Sequence, residues 1–422
     1  MLDGRTKGLP AGIAPLAREA VGGLGLNVLR EDLSLPLAVL KRSSLEHNAT
    51  WMRSFTSMTG VALAPHGKTS MSPQLFERQL ADGACAITVA TVQQLRVCRE
   101  HGIQRVLMAN QLVGRQAIAY VLDELARDPA FEFWALVDSL VLVDMLARAA
   151  QRRRVGRPLA LLVECGAVGG RTGCRTIDEA LAVARRVKAA EPWLTLAGVE
   201  GYEGSVPGST PVERDANIAR FVEFIGDVAR RVANENLFAT DSVMLTAGGS
   251  AYFDMVTALP RELGDRKTRI VLRSGCYLTH DSDAYAKAAA RMRERMPAIA
   301  TLGEGLRDAI ELWSYVQSRP EPELAILTMG KRDVAHDVHL PYPRVSYRPG
   351  RDARPVALAD DFAIRALNDQ HAYLVTPGAS DLAVGDMVGC AISHPCTTFD
   401  KWRFMPIVDD DYNVVDAITT HF

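Results

Sequence analysis

The chain has 422 residues, which is enough for roughly two or three domains with a large core. Its 48 lysines and arginines nearly balance 50 aspartates and glutamates, so its charge gives no reason to expect nucleic acid or an anionic membrane as a partner. No apolar run approaches the length of a membrane span, and the first residues lack the order of a signal peptide, so we expect a cytoplasmic protein.

Eight short apolar runs alternate with helical segments between about residues 60 and 290. The runs predict strands at 61–64, 86–89, 105–109, 132–137, 159–163, 194–199, 242–246 and 268–272. The following segments predict helices at 72–83, 91–102, 114–127, 139–153, 177–190, 211–235, 251–262 and 282–296. Eight strand–helix units in about 230 residues fit an α/β fold of the (β/α)₈ TIM-barrel type better than an open doubly wound sheet.

The end of the chain has a different pattern. Short apolar runs separated by Pro, Gly and Asp predict strands at 324–328, 372–375, 387–392 and 414–418. The strand-like stretch 35–40 fits the same region. We therefore expect two domains, a barrel at 42–296 and a second, mostly antiparallel β domain formed by 1–41 and 297–422.

One lysine, Lys68, follows the first predicted strand in the segment Pro-His-Gly-Lys-Thr at 65–69. Barrel active sites form at the carboxyl ends of the strands. Burial there would lower the pKa of a lysine, and a neutral amine condenses with an aldehyde to form a Schiff base. The alternative is a lysine at a strand end that points into water.

Later strand ends carry further candidates. Gly248-Gly249-Ser250 and Gly275-Cys276 are short turns after the last two strands, where backbone N–H groups can bind a phosphate. Arg171 follows the fifth strand and is either a surface arginine or a permanent cation that hydrogen-bonds a pyridine nitrogen and keeps it unprotonated. Candidates of the same kind, each just after a strand, are Tyr202, Thr246 and Tyr277.

A separate candidate is the segment Ser-His-Pro-Cys at 393–396. In an extended segment His394 and Cys396 face the same side and can bind one cation together. Nitrogen plus thiolate favours zinc among common divalent ions, although two ligands need others to complete the site. The alternative is a chance pair in the core. The seven cysteines are scattered without a CxxC pair, which argues against a disulfide framework.

Four segments together resemble a known family. They are the PHGKT segment, the proline-started helix after it, the Gly-Ala-Cys-Ala-Ile-Thr-Val-Ala-Thr stretch at 83–91 and the late His-Pro-Cys motif. They are similar to the fold-type III pyridoxal-phosphate enzymes of the D-serine dehydratase and D-threonine aldolase group, whose barrel is alanine racemase-like. The resemblance extends from about residue 35 to the end. It implies pyridoxal 5'-phosphate bound covalently to Lys68, with Arg171 facing the pyridine nitrogen and Tyr202 bordering the cofactor.

The same resemblance implies the remaining site residues. It assigns one phosphate loop to Thr246, Gly248, Gly249 and Ser250, and the other to Gly275, Cys276 and Tyr277. It assigns a divalent metal, with zinc favoured, to His394 and Cys396, beside the substrate hydroxyl. Two features depart from the family: Asp369-Gln370-His371 replaces a Glu-Glu-His run, and the loop at 164–171 lacks the usual aspartate. These departures concern the substrate rather than the cofactor.

The resemblance is strongest to D-serine deaminases and implies a homodimer. It predicts that a small β-hydroxy D-amino acid such as D-serine loses its α-proton to Lys68, that the metal helps its hydroxyl to leave, and that a keto acid and ammonia result. Three alternatives stay open: retro-aldol cleavage to glycine and an aldehyde, a racemase without a metal, and a non-catalytic carrier of the cofactor. Such carriers are usually shorter and lack a C-terminal β domain.

Overall fold

The computed structural model describes residues 1–422 and contains nineteen strands and ten α-helices. The strands are Leu37–Lys41 (β1), Ala62–Leu63 (β2), Ile87–Val89 (β3), Arg105–Gln111 (β4), Glu132–Val137 (β5), Leu159–Cys165 (β6), Leu194–Gly201 (β7), Ser242–Ala247 (β8), Glu262–Leu263 (β9), Arg266–Leu272 (β10), Ile310–Glu321 (β11), Leu324–Leu327 (β12), Tyr342–Tyr347 (β13), Val356–Ala357 (β14), Ala363–Leu367 (β15), Ala372–Val375 (β16), Met387–Ala391 (β17), Phe404–Val408 (β18) and Val414–Thr419 (β19). The helices are Arg42–Thr59 (α1), Pro73–Ala81 (α2), Val92–Glu100 (α3), Arg115–Arg127 (α4), Leu140–Arg153 (α5), Ile177–Ala189 (α6), Pro211–Asn234 (α7), Phe253–Val256 (α8), Ala284–Arg295 (α9) and Cys396–Phe399 (α10). No helix is long and apolar enough to cross a bilayer.

Eight parallel strands form a barrel in the unit made of Arg53–Lys68 and Arg78–Gly275. They are hydrogen-bonded in the order β2-β10-β8-β7-β6-β5-β4-β3. A parallel bridge between His66 and Thr88, with a 2.7 Å bond from Cys85 N to Leu63 O, joins the two ends of this row. All eight predicted strands are present, and the predicted (β/α)₈ barrel is confirmed.

The barrel core draws a buried side chain from every strand or its immediate flank. Its members are Ala64, Cys85, Ala86, Leu107, Leu136, Leu162, Ala197, Met244 and Val271. These small and aliphatic side chains fill the interior, as expected for a barrel whose centre is packed rather than open. Ligands are therefore left to the carboxyl ends of the strands.

The barrel helices begin where the sequence predicts. The Thr91 side chain accepts a bond from Gln94 N at the start of α3, and Thr176 forms a capping box with Glu179 at the start of α6. The prediction of a helix over 251–262 is wrong, because only the single turn of α8 forms there. Pro260 lacks an N–H and restricts Leu259, so no helix can continue from α8, which ends at Val256, to residue 262.

The second unit contains Met1–Met52, Thr69–Glu77 and Cys276–Phe422. Its sheet follows the order β14-β13-β17-β11-β1-β18-β19, with β12, β15 and β16 attached at β11. All its pairs are antiparallel except β1 with β18, so the predicted mostly antiparallel β domain is present. The sequence did not predict β11, β13, β14, β15 or β18.

The borders of these units differ from the predicted border residues, 42 and 296. The buried Asn48 on α1 donates to the carbonyls of Leu278 and Arg307 and accepts from Arg307 N, all within 2.9 Å. These bonds tie the first half of α1 to the β-rich unit. Helix α9, predicted as the last barrel helix, also lies in the β-rich unit.

Candidate functional site

A cavity lies at the carboxyl ends of the barrel strands. The side chains and turn that line it include Lys68, Arg171, Arg273, Glu164, Glu200, His66, Tyr202 and Gly248-Gly249. Five of the residues predicted for the cofactor site are therefore brought together: Lys68, Arg171, Tyr202, Gly248 and Gly249. The cavity combines permanent cations with buried carboxyl groups, which suits a polar, anionic ligand.

Lys68 lines this cavity but is exposed. Strand β2 has only two residues, and the chain then turns through the short 3₁₀ helix Gly67–Thr69, which brings the ammonium group into the open cavity. Of the two alternatives for Lys68, burial or exposure at the strand end, the structure shows exposure. Lys68 does follow the first barrel strand, as the sequence predicts.

The neighbouring His66 has a buried ring atom, Nδ1, with no hydrogen-bond partner. Burial, reinforced by the positive charges of Lys68 and Arg273, holds the pKa of His66 well below its usual range. The imidazole is thus neutral at neutral pH. An unsatisfied buried nitrogen on a cavity wall is costly, and a polar ligand would relieve that cost.

Arg273 and Glu200 form a buried ion pair on the cavity wall that the sequence reading missed. Arg273 Nη2 lies 2.5 Å from Glu200 Oε1 and 3.0 Å from Gly201 O, and Nη1 lies 2.9 Å from Thr246 Oγ1. Only 5% of Arg273 and 1% of Glu200 is exposed. The sequence does contain a signal for this pair: Glu200 lies within the apolar strand β7, and Arg273 directly follows the strand β10.

Burial raises the pKa of Glu200 to about 8, even though Arg273 opposes the shift. Burial likewise raises the pKa of Glu164, whose Oε1 accepts a 2.7 Å bond from Thr172 Oγ1 and whose Oε2 accepts from Gln111. Glu200 Oε2 has no partner. The cavity therefore contains a buried carboxyl group whose pKa is raised and one of whose oxygens has no partner.

Arg171 and Tyr202 stack on one another at the cavity. The guanidinium carbon lies 4.4 Å from the centre of the Tyr202 ring, a cation–π contact. Arg171 is exposed and makes no ion pair with a carboxylate. Arg171 lines the cavity. This position is required of a residue that contacts either the pyridine nitrogen of a cofactor or a substrate.

The first predicted phosphate loop is already hydrogen-bonded within the barrel. The fully buried Glu203 accepts from Gly248 N at 2.9 Å and from Gly249 N at 2.6 Å. Thr246 is predicted to contact the phosphate, but it is buried and donates to Val271 O, so it does not reach the cavity surface. Ser250, next along the chain, is half-buried. The two glycine amides thus have an acceptor from the protein itself.

The second predicted loop divides between the two units at residue 275. Gly275 ends the barrel unit, and the buried Cys276 and Tyr277 begin a segment of the β-rich unit. Within that unit the Cys276 thiol lies 3.7 Å from Thr69 Oγ1 and 3.7 Å from the Cys396 thiol. The structure thus brings Cys276 and Cys396 together, which the sequence did not predict.

The His-Pro-Cys motif is not extended, so the prediction that its side chains share a face because of strand geometry is wrong. Pro395 has helical backbone angles and Cys396 begins α10. His394 Nδ1 pairs with Asp337 Oδ2 at 2.7 Å, and Asp337 Oδ1 accepts a 2.7 Å bond from Thr397. Although burial opposes it, the bonds from Thr397 and His394 lower the pKa of Asp337.

This arrangement orients the histidine. With Nδ1 bonded to a carboxylate, Nε2 is left for a metal, the pattern in which an outer carboxylate fixes a metal-binding histidine. No group of three or more His, Cys, Asp or Glu side chains is arranged to hold a metal. His394 and Cys396 would therefore supply two protein ligands and leave the other positions to water or substrate.

Comparison with known proteins decides the family. The alanine racemase N-terminal domain matches residues 40–258, more than half of the chain. The chain belongs to this family. Residues 309–408 also match the domain described as "Putative serine dehydratase domain". The predicted resemblance to D-serine dehydratase and D-threonine aldolase relatives of alanine racemase is confirmed.

Individual relatives cover nearly the full length. The chain is 26% identical to D-threonine aldolase from Arthrobacter sp over 377 residues, which is 89% of each chain. The D-threonine aldolase structure from Filomicrobium marinum has a TM-score of 0.73 and 23% identity over 96% of this chain and 98% of that one. D-threo-3-hydroxyaspartate dehydratase from Delftia sp. HT23 has a TM-score of 0.72 and 19% identity over 94% and 99%.

Two structures of D-threo-3-hydroxyaspartate dehydratase variants are equally similar, each with a TM-score of 0.72. One has a histidine replaced by alanine, and the other has a cysteine two positions further along replaced by alanine and is in a metal-free form. The spacing of those two residues is that of His394 and Cys396.

Proposed function

We propose that the protein is a pyridoxal-phosphate-dependent lyase that converts D-serine or a related β-hydroxy D-amino acid to a keto acid and ammonia. The observation that carries the proposal is the cavity at the strand ends, where Lys68 follows the first strand of an alanine racemase-type barrel. The match of residues 309–408 to a serine dehydratase domain supports dehydration as the outcome.

The cavity residues suit this cofactor. Lys68, Arg171 and Arg273 provide positive charge for an anionic group, and His66 Nδ1 and Glu200 Oε2 are buried polar atoms without a partner. Lys68 would hold pyridoxal phosphate through the cofactor's aldehyde, and the cofactor would supply electron withdrawal from the α-carbon of an amino acid whose nitrogen takes the place of the lysine. The assignment of the phosphate to the loops at 246–250 and 275–277 stays a prediction from the family resemblance, and in the first loop the Gly248 and Gly249 amides already donate to Glu203.

The proposed roles of the side chains follow from their chemistry. The Lys68 amine accepts the substrate α-proton as general base. Tyr202 borders the cofactor ring and Arg171 lies on Tyr202, where a permanent cation can bind either the ring nitrogen or a carboxylate. The Arg171 contact to the ring nitrogen remains the prediction from the family resemblance.

We also propose a divalent metal on His394 and Cys396, with zinc as the favoured ion. Three observations support it: the imidazole and thiolate ligand types, the Asp337 bond that orients His394, and the matched spacing of the residues replaced in the D-threo-3-hydroxyaspartate dehydratase variants. A divalent ion supplies Lewis-acid chemistry to a departing hydroxyl. The homodimer implied by the family stays a prediction.

The second candidate function is retro-aldol cleavage to glycine and an aldehyde. The Arthrobacter D-threonine aldolase, which aligns with 89% of the chain, supports it. The same residues would serve both reactions, since the difference is whether the hydroxyl leaves or is deprotonated.

A product assay separates these functions. Purified protein with pyridoxal phosphate and zinc is incubated with D- and L-serine, D- and L-threonine, and 3-hydroxyaspartate. Pyruvate and ammonia from D-serine support the dehydratase, whereas glycine and acetaldehyde from D-threonine support the aldolase. Turnover of neither, with the cofactor still reducible onto Lys68 by borohydride, would indicate a carrier and overturn both proposals.

A further inference from the structure

The loop between β6 and α6 brings Arg171 and Thr172 to the cavity. Both residues line it, and Thr172 Oγ1 donates to Glu164 Oε1 at 2.7 Å. Residues 166–173 of this loop lie outside any helix or strand. An arginine on such a loop stays in one place only if another part of the chain holds it, because a long side chain loses rotamer freedom when it is fixed.

The base of the loop is closed by hydrogen bonds from its backbone. Cys174 N donates to Glu164 O at 2.8 Å, and Gly166 N donates to Cys174 O at 2.9 Å. Gly173 N adds a 3.0 Å bond to Asp138 Oδ2. These bonds fix the ends of the loop rather than its middle.

One side chain, that of Arg175, holds the middle of the loop. Its Nη1 donates to Thr172 O at 2.6 Å and to Gly173 O at 2.8 Å. Its Nη2 donates to Arg171 O at 2.6 Å and to Gly170 O at 3.4 Å. The guanidinium thus directs its Nη hydrogens at four consecutive carbonyl groups, which a planar fork of donors can do and an ammonium with three donors cannot.

The surrounding chain is shaped to accept this guanidinium. Gly166 lies directly against it, and a Cβ added at Gly166 would overlap both Arg175 Nη1 and Thr172 O. The backbone of Arg175 is anchored at the start of α6, where the Glu179 carboxylate accepts from Arg175 N at 2.7 Å and from Thr176 N at 3.2 Å. The first turn of a helix therefore fixes the Arg175 side chain, and that side chain fixes the loop.

We propose that Arg175 is a positioning residue that holds Arg171 at the cavity, where Arg171 contacts the bound cofactor. This inference rests on the proposed use of pyridoxal phosphate. Arg171 is exposed and stacks on Tyr202, with 4.4 Å between its guanidinium carbon and the ring centre. Without Arg175 the loop gains freedom and the Arg171 guanidinium spends part of its time in water, which weakens cofactor binding.

The test is a double-mutant cycle on the full-length protein, in which the absorption of pyridoxal phosphate is followed as it is titrated into the cofactor-free form. Borohydride trapping and peptide mapping first establish that the wild type carries the cofactor on Lys68. Arg171→Met and Arg175→Met should each weaken cofactor binding by about 3–10-fold. The double variant should bind no more weakly than Arg171→Met alone, because Arg175 acts through Arg171.

A matched control is Arg185→Met, at an exposed arginine of α6 that pairs with Glu235, and it should bind the cofactor as the wild type does. If Arg175 has a merely structural role, its loss acts independently of Arg171, and the two losses of affinity multiply in the double variant. That result, or unchanged affinity in either single variant, would overturn the inference and leave the proposed function intact.

A second variant keeps the test decisive if Arg175→Met does not fold. Arg175→Lys then takes its place in the cycle with the same expectation, since a lysine keeps the charge but cannot bond four carbonyl groups from one plane. If the cofactor is not on Lys68 in the wild type, the proposed function fails and this inference with it.

Discussion

Lys68 shares its cavity with Arg171, a neutral histidine and the Arg273–Glu200 pair. Because the cations crowd around it, binding of an anionic cofactor would relieve repulsion between them. Two buried atoms of residues that line the cavity, His66 Nδ1 and Glu200 Oε2, have no hydrogen-bond partner. At the scale of single residues the site is therefore incomplete without a ligand, and its chemistry can be tested one side chain at a time.

Lys68→Ala should abolish activity and the visible absorption of bound cofactor, because no other lysine lines the cavity to replace the amine. Absorption spectra after addition of pyridoxal phosphate, with borohydride trapping and peptide mapping, provide the measurement. Lys267→Ala, an exposed position at the opposite end of β10, is the matched control and should behave as wild type. Cofactor trapped on another lysine in the wild type would show that the assignment is wrong.

Glu200 should also make the stability of the cofactor-free protein depend on pH. Its pKa rises from 4.5 to about 8 on folding, so the folded state holds the proton more tightly and this stabilisation is lost as the pH rises through that range. The Tm difference between wild type and Glu200→Gln should therefore fall from pH 5 to pH 8 and level off above. A difference that is constant with pH would show that Glu200 titrates normally.

At the scale of elements, β7 contributes most to the site. It carries Glu200 and leads into Tyr202 and Glu203, so one strand end supplies the ion pair, the ring stacked on Arg171, and the carboxylate on the Gly248-Gly249 turn. The strand can approach β8 closely because it contains Gly198, whose added Cβ would lie 1.9 Å from Met244 O.

Gly198→Ala should destabilise the protein by roughly 1–3 kcal/mol, because the clash is with backbone that cannot turn aside. Urea unfolding followed by circular dichroism measures the change. Gly12→Ala, where an added Cβ meets nothing within 4 Å, is the control and should unfold as wild type. Equal stability of the two variants would mean that the spacing between β7 and β8 is not tight.

The proposed metal site at His394 and Cys396, next to and at the start of α10, can be tested separately from the cofactor site. Chelation, or Cys396→Ala, should remove dehydration while the cofactor spectrum and exchange of the substrate α-proton with solvent deuterium persist. Asp337→Asn should weaken zinc binding by about 10–100-fold, because it loosens the hold on His394. Zinc titration by calorimetry measures this, with Asp400→Asn as the control. Full dehydration of D-serine by metal-free protein would leave His394 and Cys396 as structural residues.

At the scale of the whole molecule, the chain passes between its two units four times, after residues 52, 68, 77 and 275. The predicted border residues, 42 and 296, would divide the β-rich unit and leave Thr69–Glu77 in the wrong fragment. That segment contains Met71, Leu75 and Phe76, which are at most 3% exposed.

A fragment of residues 42–296 should therefore fail to fold cooperatively, because it exposes those apolar side chains without the rest of their unit. Near-ultraviolet circular dichroism and binding of a hydrophobic dye would detect this, with the full-length chain as reference. A fragment with a sharp thermal transition and native near-ultraviolet signal would contradict it.

The sequence by itself determined the alternation of strands and helices, and hence the barrel, because side-chain period and capping residues are local properties. It also located Lys68, Arg171, Tyr202 and the His394–Cys396 pair. Only the tertiary structure decided that Arg273 pairs with Glu200, that Asp337 holds His394, and that Lys68 is exposed. Those partners lie more than fifty residues apart in the chain, and burial depends on what the fold packs around a residue, so no local pattern could reveal them.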